Sequence, residues 1–147
     1  MKALLINGSP HEHGCTYTAL RELADTLEAE GIETEIIQAG KTAHACNACA
    51  SCKKTHRCVY DDLVNETAPK LAAADALVIG SPVYYASPAG GAISFMDRLF
   101  FSTPFDKTMK VGASVACARR GGCSATFDEL NKYFTISGMP VASSQYW

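Results

Sequence analysis

The hydrophobic pattern of this chain changes period along its length and predicts strands and helices in alternation. Short unbroken apolar runs, such as Ala3 to Ile6, are typical of strands that are buried on both faces. Longer segments carry apolar residues three or four positions apart, as Leu20, Leu23 and Leu27 are, and predict amphipathic helices. The predicted strands are 3–6, 34–37, 76–80, 110–116 and the opening of a fifth at 139–142; the predicted helices are 16–30, 62–74, 93–101 and 127–134.

This alternation predicts a parallel sheet with helices on both faces, because parallel strands need crossover helices between them and these strands are too apolar to face water. The expected architecture is a doubly wound α/β fold with right-handed crossovers. We expect Gly31 to cap the first helix at its C-terminal end and Pro69 to kink or break the second. The fifth strand is expected to be incomplete where the sequence ends at Trp147.

Composition limits the class of protein. With 147 residues, 48% of them hydrophobic, and a formal net charge of -2, the chain is expected to form one domain over residues 1–147 around one core. Its 13 basic and 15 acidic residues form no basic run, which argues against nucleic acid as a partner. No apolar stretch approaches the roughly 20 residues of a membrane span. Because the N-terminus also lacks the features of a signal peptide, we expect a cytoplasmic protein with no membrane partner.

The loop after the first strand has the composition of a phosphate site. Gly8 and Gly14 permit tight backbone turns. Ser9 and Thr16 offer hydroxyl groups, and the helix that follows directs its partially positive N-terminus at the loop. A nucleoside triphosphate is disfavoured because five residues separate the glycines and Cys15 stands where a P-loop has lysine; the dinucleotide pattern GxGxxG is absent. A cofactor with one phosphate is the better candidate, and the alternative is an ordinary turn with Thr16 as the helix N-cap.

Two further loops, after the third and fourth strands, are suited to hold a flat ring. In the first, Tyr84 and Tyr85 can cover a planar heterocycle while the backbone from Pro82 onward contacts its edge. The alternative is that one tyrosine packs in the core and the other lies on the surface. In the second, residues 118–122 place two arginines beside two glycines, which suits an anion or the electron-rich end of a ring. The alternative there is a solvated pair of arginines in a turn.

A cysteine-rich insertion at about 44–60 carries the spacing C-x2-C-x2-C-x5-C and is expected to be irregular. Two short spacers bring three sulfurs around one centre and the longer one lets a fourth return, which suits a [4Fe-4S] cluster. Zinc held by four thiolates and reduced thiols without a metal are the alternatives. The array consists of Cys46, Cys49, Cys52 and Cys58. His44 and His56 are interpreted as solvated loop residues, and Cys117 and Cys123 as packing residues.

Together these loops resemble the NADPH-dependent FMN reductase family of flavodoxin-like proteins, and more closely its iron-sulfur flavoprotein branch. The resemblance lies in the segments Asn7-Gly8-Ser9-Pro10, Gly14-Cys15-Thr16, Gly80-Ser81-Pro82-Val83-Tyr84-Tyr85, Asp97-Arg98 and Ala118-Arg119-Arg120-Gly121-Gly122. It implies a flavodoxin-like sheet in the order 2-1-3-4-5, FMN as cofactor and a [4Fe-4S] cluster on the four cysteines. The implied FMN contacts are Ser9, Gly14, Cys15 and Thr16 at the phosphate, Pro82, Val83, Tyr84 and Tyr85 at the isoalloxazine ring, and Arg119, Gly121 and Gly122 beside them. Cys15 departs from the family, which usually has asparagine at this position.

The resemblance implies an oxidoreductase that uses FMN to pass electrons from NAD(P)H or a reduced carrier to an acceptor, through the cluster if one is bound. No side chain is assigned as a catalytic acid or base, because hydride transfer to a flavin does not require one. The family also implies a homodimer or homotetramer. Two alternatives remain open: a non-enzymatic electron carrier, and a zinc-stabilised binding module without flavin.

Overall fold

The computed structural model describes residues 1–42 and 44–143, and its elements follow the predicted alternation of strand and helix. The strands are β1 Lys2–Asn7, β2 Glu33–Gln38, β3 Ala76–Tyr84, β4 Ser87–Pro88 and β5 Val111–Cys117. The helices are α1 Cys15–Ala29, α2 Cys52–Thr55, α3 Leu63–Ala73, α4 Gly90–Ser102 and α5 Cys123–Ile136. No helix among the described residues is both long and apolar enough to cross a bilayer.

The central sheet is parallel and runs in the order β2-β1-β3-β5. The two-residue β4, which the sequence did not predict, turns back antiparallel on the end of β3. Counted without β4, the order is the predicted 2-1-3-4. Where the sequence predicted the incomplete opening of a fifth strand, the described residues form a parallel bridge between Val141 and Gly112 at the outer edge of β5. Residues 144–147, at the end of the sequence, lie outside the described part of the chain.

Successive side chains of β1 enter different halves of the core, because strand side chains alternate between the two faces of a sheet. Ala3 and Leu5 pack with Leu20 and Ala24 of α1 on one face. Leu4 and Ile6 pack on the other face with apolar residues of α3, α4 and α5. Helices therefore cover both faces, as the apolar strands predicted.

Four local features differ from the prediction or refine it. Gly31 has φ +78° just after α1 and ends the helix as expected. α3 continues through Pro69, so of the predicted kink or break the break does not occur. α4 and α5 begin earlier than predicted, at Gly90 and Cys123, because small residues without helical apolar periodicity fill their first turns. The four-residue α2 lies inside the cysteine-rich insertion, which was predicted to be irregular.

β3 also extends beyond the predicted strand and includes part of what was expected to be a loop. Ser81 and Pro82 continue the parallel ladder opposite Ala116 and Cys117 of β5. The next two residues pair with β4 in a short hairpin. The third and fourth parallel strands therefore end side by side, and the loops that follow them start from the same edge of the sheet.

Candidate functional site

The loop between β1 and α1 is held in shape by side chains of its own segment. The Asn7 side-chain oxygen accepts from the Ser9 backbone N–H at 3.1 Å, and its amide nitrogen donates to the carbonyls of His11 and Glu12 at 3.5 and 3.4 Å. The Ser9 hydroxyl oxygen accepts from the His11 backbone N–H at 3.1 Å. Ser9 is only 3% exposed. Its hydroxyl proton is therefore the group it can offer to a phosphate.

The neighbouring strand also supports this loop. Gln38, at the end of β2, accepts from the Asn7 amide at 2.5 Å and donates to the Ser9 carbonyl at 2.6 Å. It adds an acceptor for the Asn7 amide and gives the half-buried Ser9 carbonyl a hydrogen-bond donor, so it ties both sides of the turn to β2. Gln38 was not among the predicted site residues.

The N-terminus of α1 points into this loop with its backbone donors uncapped. Gly14 is the N-cap and makes no side-chain cap bond, so the first N–H groups of the helix, from Cys15 onward, lack the side-chain acceptor that commonly satisfies one of them. Such an end is suited to bind an anion. Thr16 lies inside the helix and is 2% exposed. The alternative in which Thr16 is the N-cap is therefore wrong.

Glycines allow neighbouring backbone segments to approach this loop closely. The Gly8 N–H donates to the Gly80 carbonyl at 2.7 Å, and a Cβ on Gly8 would lie 2.5 Å from the Cβ of Ala92 in α4. A Cβ on Gly40 would lie 2.0 Å from the Ser9 carbonyl oxygen. The loop is thus packed against the ends of β2 and β3 and the start of α4.

The two tyrosines predicted to cover a ring lie at the tip of the β3–β4 hairpin. Tyr84 is 47% exposed and Tyr85 is fully exposed, so neither packs in the core. The two residues at the turn, Tyr85 and Ala86, have φ of +52° and +59°. Two-residue hairpin turns of this kind favour asparagine and glycine, because side chains with a Cβ are strained at positive φ. The turn therefore holds a large exposed aromatic residue in a costly backbone conformation.

The loop after β5 lies against this hairpin. Gly122 has φ +97°, and a Cβ at this position would lie 2.8 Å from the Ala86 Cα and 2.9 Å from the Val83 Cγ1. Arg119, Arg120 and Gly121 are exposed beside it, and neither arginine pairs with a carboxylate in the described part of the chain. The two loops predicted to hold a ring are therefore in direct contact.

The four cysteines of the array line one cavity, which has a volume of about 30 Å³ and is partly open to solvent. All are free thiols; Cys46 and Cys49 are exposed, and Cys52 and Cys58 are half-buried. Within residues 1–42 and 44–143, no three His, Cys, Asp or Glu side chains lie close enough together to hold a metal ion. The donor set suits a cluster, but the loop would have to draw its sulfurs together around one.

One cysteine of this array is in an environment that favours its thiolate form. The backbone N–H and the hydroxyl of Ser51 donate to Cys49 and lower the pKa of its thiol below the ordinary value. The thiolate is the form that binds metals. Of the flanking histidines, His56 is exposed, whereas the exposed His44 is not simply solvated, because its ring stacks on Tyr60 with centroids 4.3 Å apart.

A buried arginine forms the inner wall of the cysteine cavity. The Arg98 side chain is 1% exposed and forms a two-bond pair with Asp62, at 2.8 and 2.7 Å. Its Nε also donates to the Cys58 sulfur at 3.2 Å. Burial disfavours the charged form of Asp62, but hydrogen bonds from Arg98 and from the Val64 backbone outweigh burial and hold the pKa of Asp62 below its ordinary value.

The sequence matches a known family along its whole length. The model of the NADPH-dependent FMN reductase family matches residues 1–147. The chain belongs to this family. An iron-sulfur flavoprotein of Methanocaldococcus jannaschii is 36% identical over 148 residues, which cover 96% of this chain and 75% of that protein.

Solved structures show the same architecture as this member of the FMN reductase family. A flavodoxin from the domain Archaea matches with a TM-score of 0.68 at 19% identity, covering 98% of this chain and 80% of that one. An NADH:FMN oxidoreductase in its apo form matches with a TM-score of 0.70 at 20% identity, covering 97% and 73%. The predicted family and the flavodoxin-like fold are both confirmed, and the family is one of flavin-dependent oxidoreductases.

Several residues that shape the site of this family member were missed by the sequence analysis. Asn7 and Arg98 were noted only as parts of matching segments, Asp62 only as the start of a predicted helix, and Gln38 and Gly40 were not noted at all. Their partners lie far away in sequence, as in the Asp62–Arg98 pair, where 36 residues separate the two side chains. Only the pairing of particular strands and helices brings such groups together.

Proposed function

We propose that this chain binds FMN at the carboxyl edge of its sheet and acts as an oxidoreductase, passing electrons from NAD(P)H or a reduced carrier to an acceptor. One observation carries the proposal. A loop with an uncapped helix N-terminus and two contacting loops rich in aromatic and cationic side chains follow three adjacent strands of one parallel sheet. Ligands of doubly wound folds bind at this edge.

In this proposal the first loop holds the phosphate. Ser9 offers its hydroxyl proton, and Gly14, Cys15 and Thr16 offer backbone N–H groups at the positive end of α1. Cys15 contributes no side-chain amide where the family usually has asparagine, so its part is limited to the backbone. The brace from Gln38 fixes the loop before the phosphate arrives.

The two contacting loops hold the ring. Pro82 and Val83 supply backbone and apolar contacts, and the exposed rings of Tyr84 and Tyr85 provide a flat cover. Across the hairpin, Gly121 leaves open space for close approach of the ring, and Gly122 lets its loop pack against Val83 and Ala86 so that both loops can contact the same ligand. Arg119 adds a positive charge, which favours electron-rich ring atoms. When bound, FMN supplies the redox chemistry, taking up a hydride or electrons and releasing them.

We also propose that Cys46, Cys49, Cys52 and Cys58 hold a [4Fe-4S] cluster. Support comes from their common cavity and from the groups that favour the Cys49 thiolate. A cluster would supply transfer of one electron at a time between the flavin and a partner. The relative from Methanocaldococcus jannaschii is named an iron-sulfur flavoprotein.

A homodimer or homotetramer is the third part of the proposal. Val59 and Phe101 line the cysteine cavity and are 55% and 69% exposed. Covering them with a second copy would exclude water from the centre. Light scattering on the purified protein tests this part, and a monomer at all concentrations would reject it.

The first experiment is anaerobic purification followed by a visible spectrum and iron, sulfide and zinc analysis of one sample. Flavin bands with about four irons per chain, as one such cluster requires, are the expected result. Cys49→Ser is expected to lose the iron, and the matched control Cys117→Ser, outside the array, is expected to keep it. Flavin without iron would reject the cluster only, and a colourless protein containing zinc would reject both parts.

A second assay separates an enzyme from an electron carrier. Steady-state oxidation of NADPH or NADH in the presence of an artificial acceptor is the expected result for the oxidoreductase. If neither nucleotide is oxidised but a chemically reduced carrier protein reduces the flavin, the non-enzymatic carrier is the better description.

A further inference from the structure

We propose that Arg98 is a positioning residue of the cysteine centre, which fixes Cys58 as the anchored ligand and raises the reduction potential of the centre through its hydrogen bond to the Cys58 sulfur. The inference rests on the proposed cluster. Arg98 belongs to α4, 40 residues from Cys58 in sequence, and no role for it follows from the cysteine spacing.

All five N–H donors of the Arg98 guanidinium have an acceptor. Two donate to the Asp62 carboxylate, and the single Nε–H donates to Cys58. The remaining two point at the carbonyls of His44 and Tyr60, at 3.3 and 3.4 Å. Since a guanidinium carries five donors in a fixed plane, its orientation is fully determined. Arg98 thereby joins the two ends of the cysteine-rich segment, before Cys46 and after Cys58.

The backbone of Cys58 is held together with its sulfur, because α3 bonds the backbone while Arg98 bonds the side chain. The Asn65 side-chain oxygen accepts from the Cys58 N–H at 2.9 Å, and the Asn65 amide donates to the Cys58 carbonyl at 3.0 Å. The other end of the array contrasts with this arrangement, because Cys46 and Cys49 are exposed. In the array, Cys58 is therefore already fixed in position, whereas the exposed part with Cys46 and Cys49 can move to enclose a cluster.

The sign of the effect on potential follows from charge. A hydrogen bond to a ligand sulfur, and a buried positive charge beside it, both favour the more negative, reduced state. Removing the Arg98 donor should lower the potential. Removing the charge of Asp62 while keeping Arg98 should raise it, because the guanidinium charge is then no longer offset. A purely structural role of the pair predicts no such difference in sign.

The test compares Arg98→Gln and Asp62→Asn with the wild type in the holoprotein. Arg57→Gln is the matched control, because Arg57 forms a similar pair with Asp61 in the same segment but is exposed and is not among the residues lining the cysteine cavity. Midpoint potentials come from redox titration followed by electron paramagnetic resonance, with FMN content as the check on folding. We expect Arg98→Gln to lower the midpoint potential of the centre by about 59 mV, which corresponds to a tenfold smaller equilibrium constant for its one-electron reduction. Asp62→Asn should raise the midpoint potential. The control should match the wild type. Unchanged potentials, or shifts of one sign in both variants, would overturn the proposal.

Asp62 is the N-cap of α3, where its side chain accepts from the Val64 N–H. Because Asp62→Asn keeps Arg98 and an oxygen that can still cap the helix, this variant decides the sign on its own if Arg98→Gln does not fold. A wild type without iron would reject the cluster, which is a separate result. The anchoring of Cys58 is then tested in metal-free protein by amide hydrogen exchange of residues 58–61. We expect exchange at least tenfold faster in Arg98→Gln, or in Asp62→Asn if that variant alone folds, and unchanged exchange in Arg57→Gln. Exchange at the wild-type rate in the tested variant would overturn the anchoring role.

Discussion

Asn7 and Gln38 are register partners on β1 and β2, and their side-chain amides meet at 2.5 Å directly below the candidate phosphate loop. Gln38 continues from this contact to the Ser9 carbonyl. Two adjacent strand ends thus fix the path of the loop through three polar groups. A preorganised loop loses less conformational freedom when a ligand binds, and this strengthens binding.

Gln38→Leu should therefore weaken FMN binding. The substitution removes one acceptor of the Asn7 amide and the side-chain donor to the Ser9 carbonyl, and each lost hydrogen bond costs about 1 kcal/mol. We expect the FMN dissociation constant to rise about tenfold in a fluorescence titration of the apoprotein. Glu33→Gln, at the exposed start of the same strand, is the control and should bind as the wild type does. Equal affinity in Gln38→Leu would show that the loop keeps its shape without this brace.

Gly40→Ala should disturb the same loop from the other side. The added Cβ would lie 2.0 Å from the Ser9 carbonyl oxygen and 2.6 Å from the Pro10 nitrogen, both backbone atoms that cannot rotate away. Overpacking of this kind costs about 1–3 kcal/mol, and urea unfolding measures it. Gly90→Ala is the control, since a Cβ there meets nothing within 4 Å. A Gly40→Ala protein as stable as the control would mean that residues 9 and 10 move freely.

The sequence predicted the sheet because its signal is local. The alternation of Leu4 and Leu5 between two helical layers and the helical spacing from Leu20 onward are visible within a few residues. The starts of α4 and α5 were missed because Gly90 and Cys123 open turns that bury little apolar surface. Local patterns of this kind predict where helices and strands occur better than they predict the residues at which each one begins and ends.

The residues that hold the candidate ligand-binding residues in position could not be predicted in the same way. Gln38 acts through the register of two strands, and Arg98 through the crossing of α4 over the cysteine-rich insertion. Nothing in the residues adjacent to either one indicates its partner. The candidate ligand-binding residues were visible as loop composition, whereas the residues that orient them depend on tertiary structure.

The Asp62–Arg98 pair should make stability depend on pH in acid. Burial disfavours the charged form of Asp62, but its hydrogen bonds hold its folded-state pKa below the ordinary value of 3.8. The folded protein then binds this proton less tightly than the unfolded chain does. The stability contributed by the pair is present above about pH 4 and is lost as the pH falls through the folded-state pKa.

Asp62→Asn measures that contribution. At pH 7 we expect a loss of about 2 kcal/mol in the free energy of unfolding, because the Arg98 charge is left buried without its partner. The difference from the wild type should stay constant down to about pH 4 and shrink below it. Asp61→Asn, in the exposed pair with Arg57, should cost much less. A difference that persists undiminished at pH 2 would exclude ionisation of Asp62 as its source.

Two substitutions at the tip of the β3–β4 hairpin distinguish an effect on stability from an effect on FMN binding. Ala86→Gly and Tyr85→Asn each place a residue that tolerates positive φ where the turn requires it, so each should stabilise the protein by about 1 kcal/mol in urea unfolding. Only Tyr85→Asn removes the aromatic ring that we propose covers FMN. It should therefore weaken FMN binding by about twofold to tenfold, since stacking of aromatic rings contributes about 0.5–1.5 kcal/mol, while Ala86→Gly keeps the wild-type affinity. If both variants are stabilised and both bind FMN as the wild type does, the exposed position of Tyr85 does not serve the flavin. The strained turn would then need another explanation, such as a contact with a partner protein.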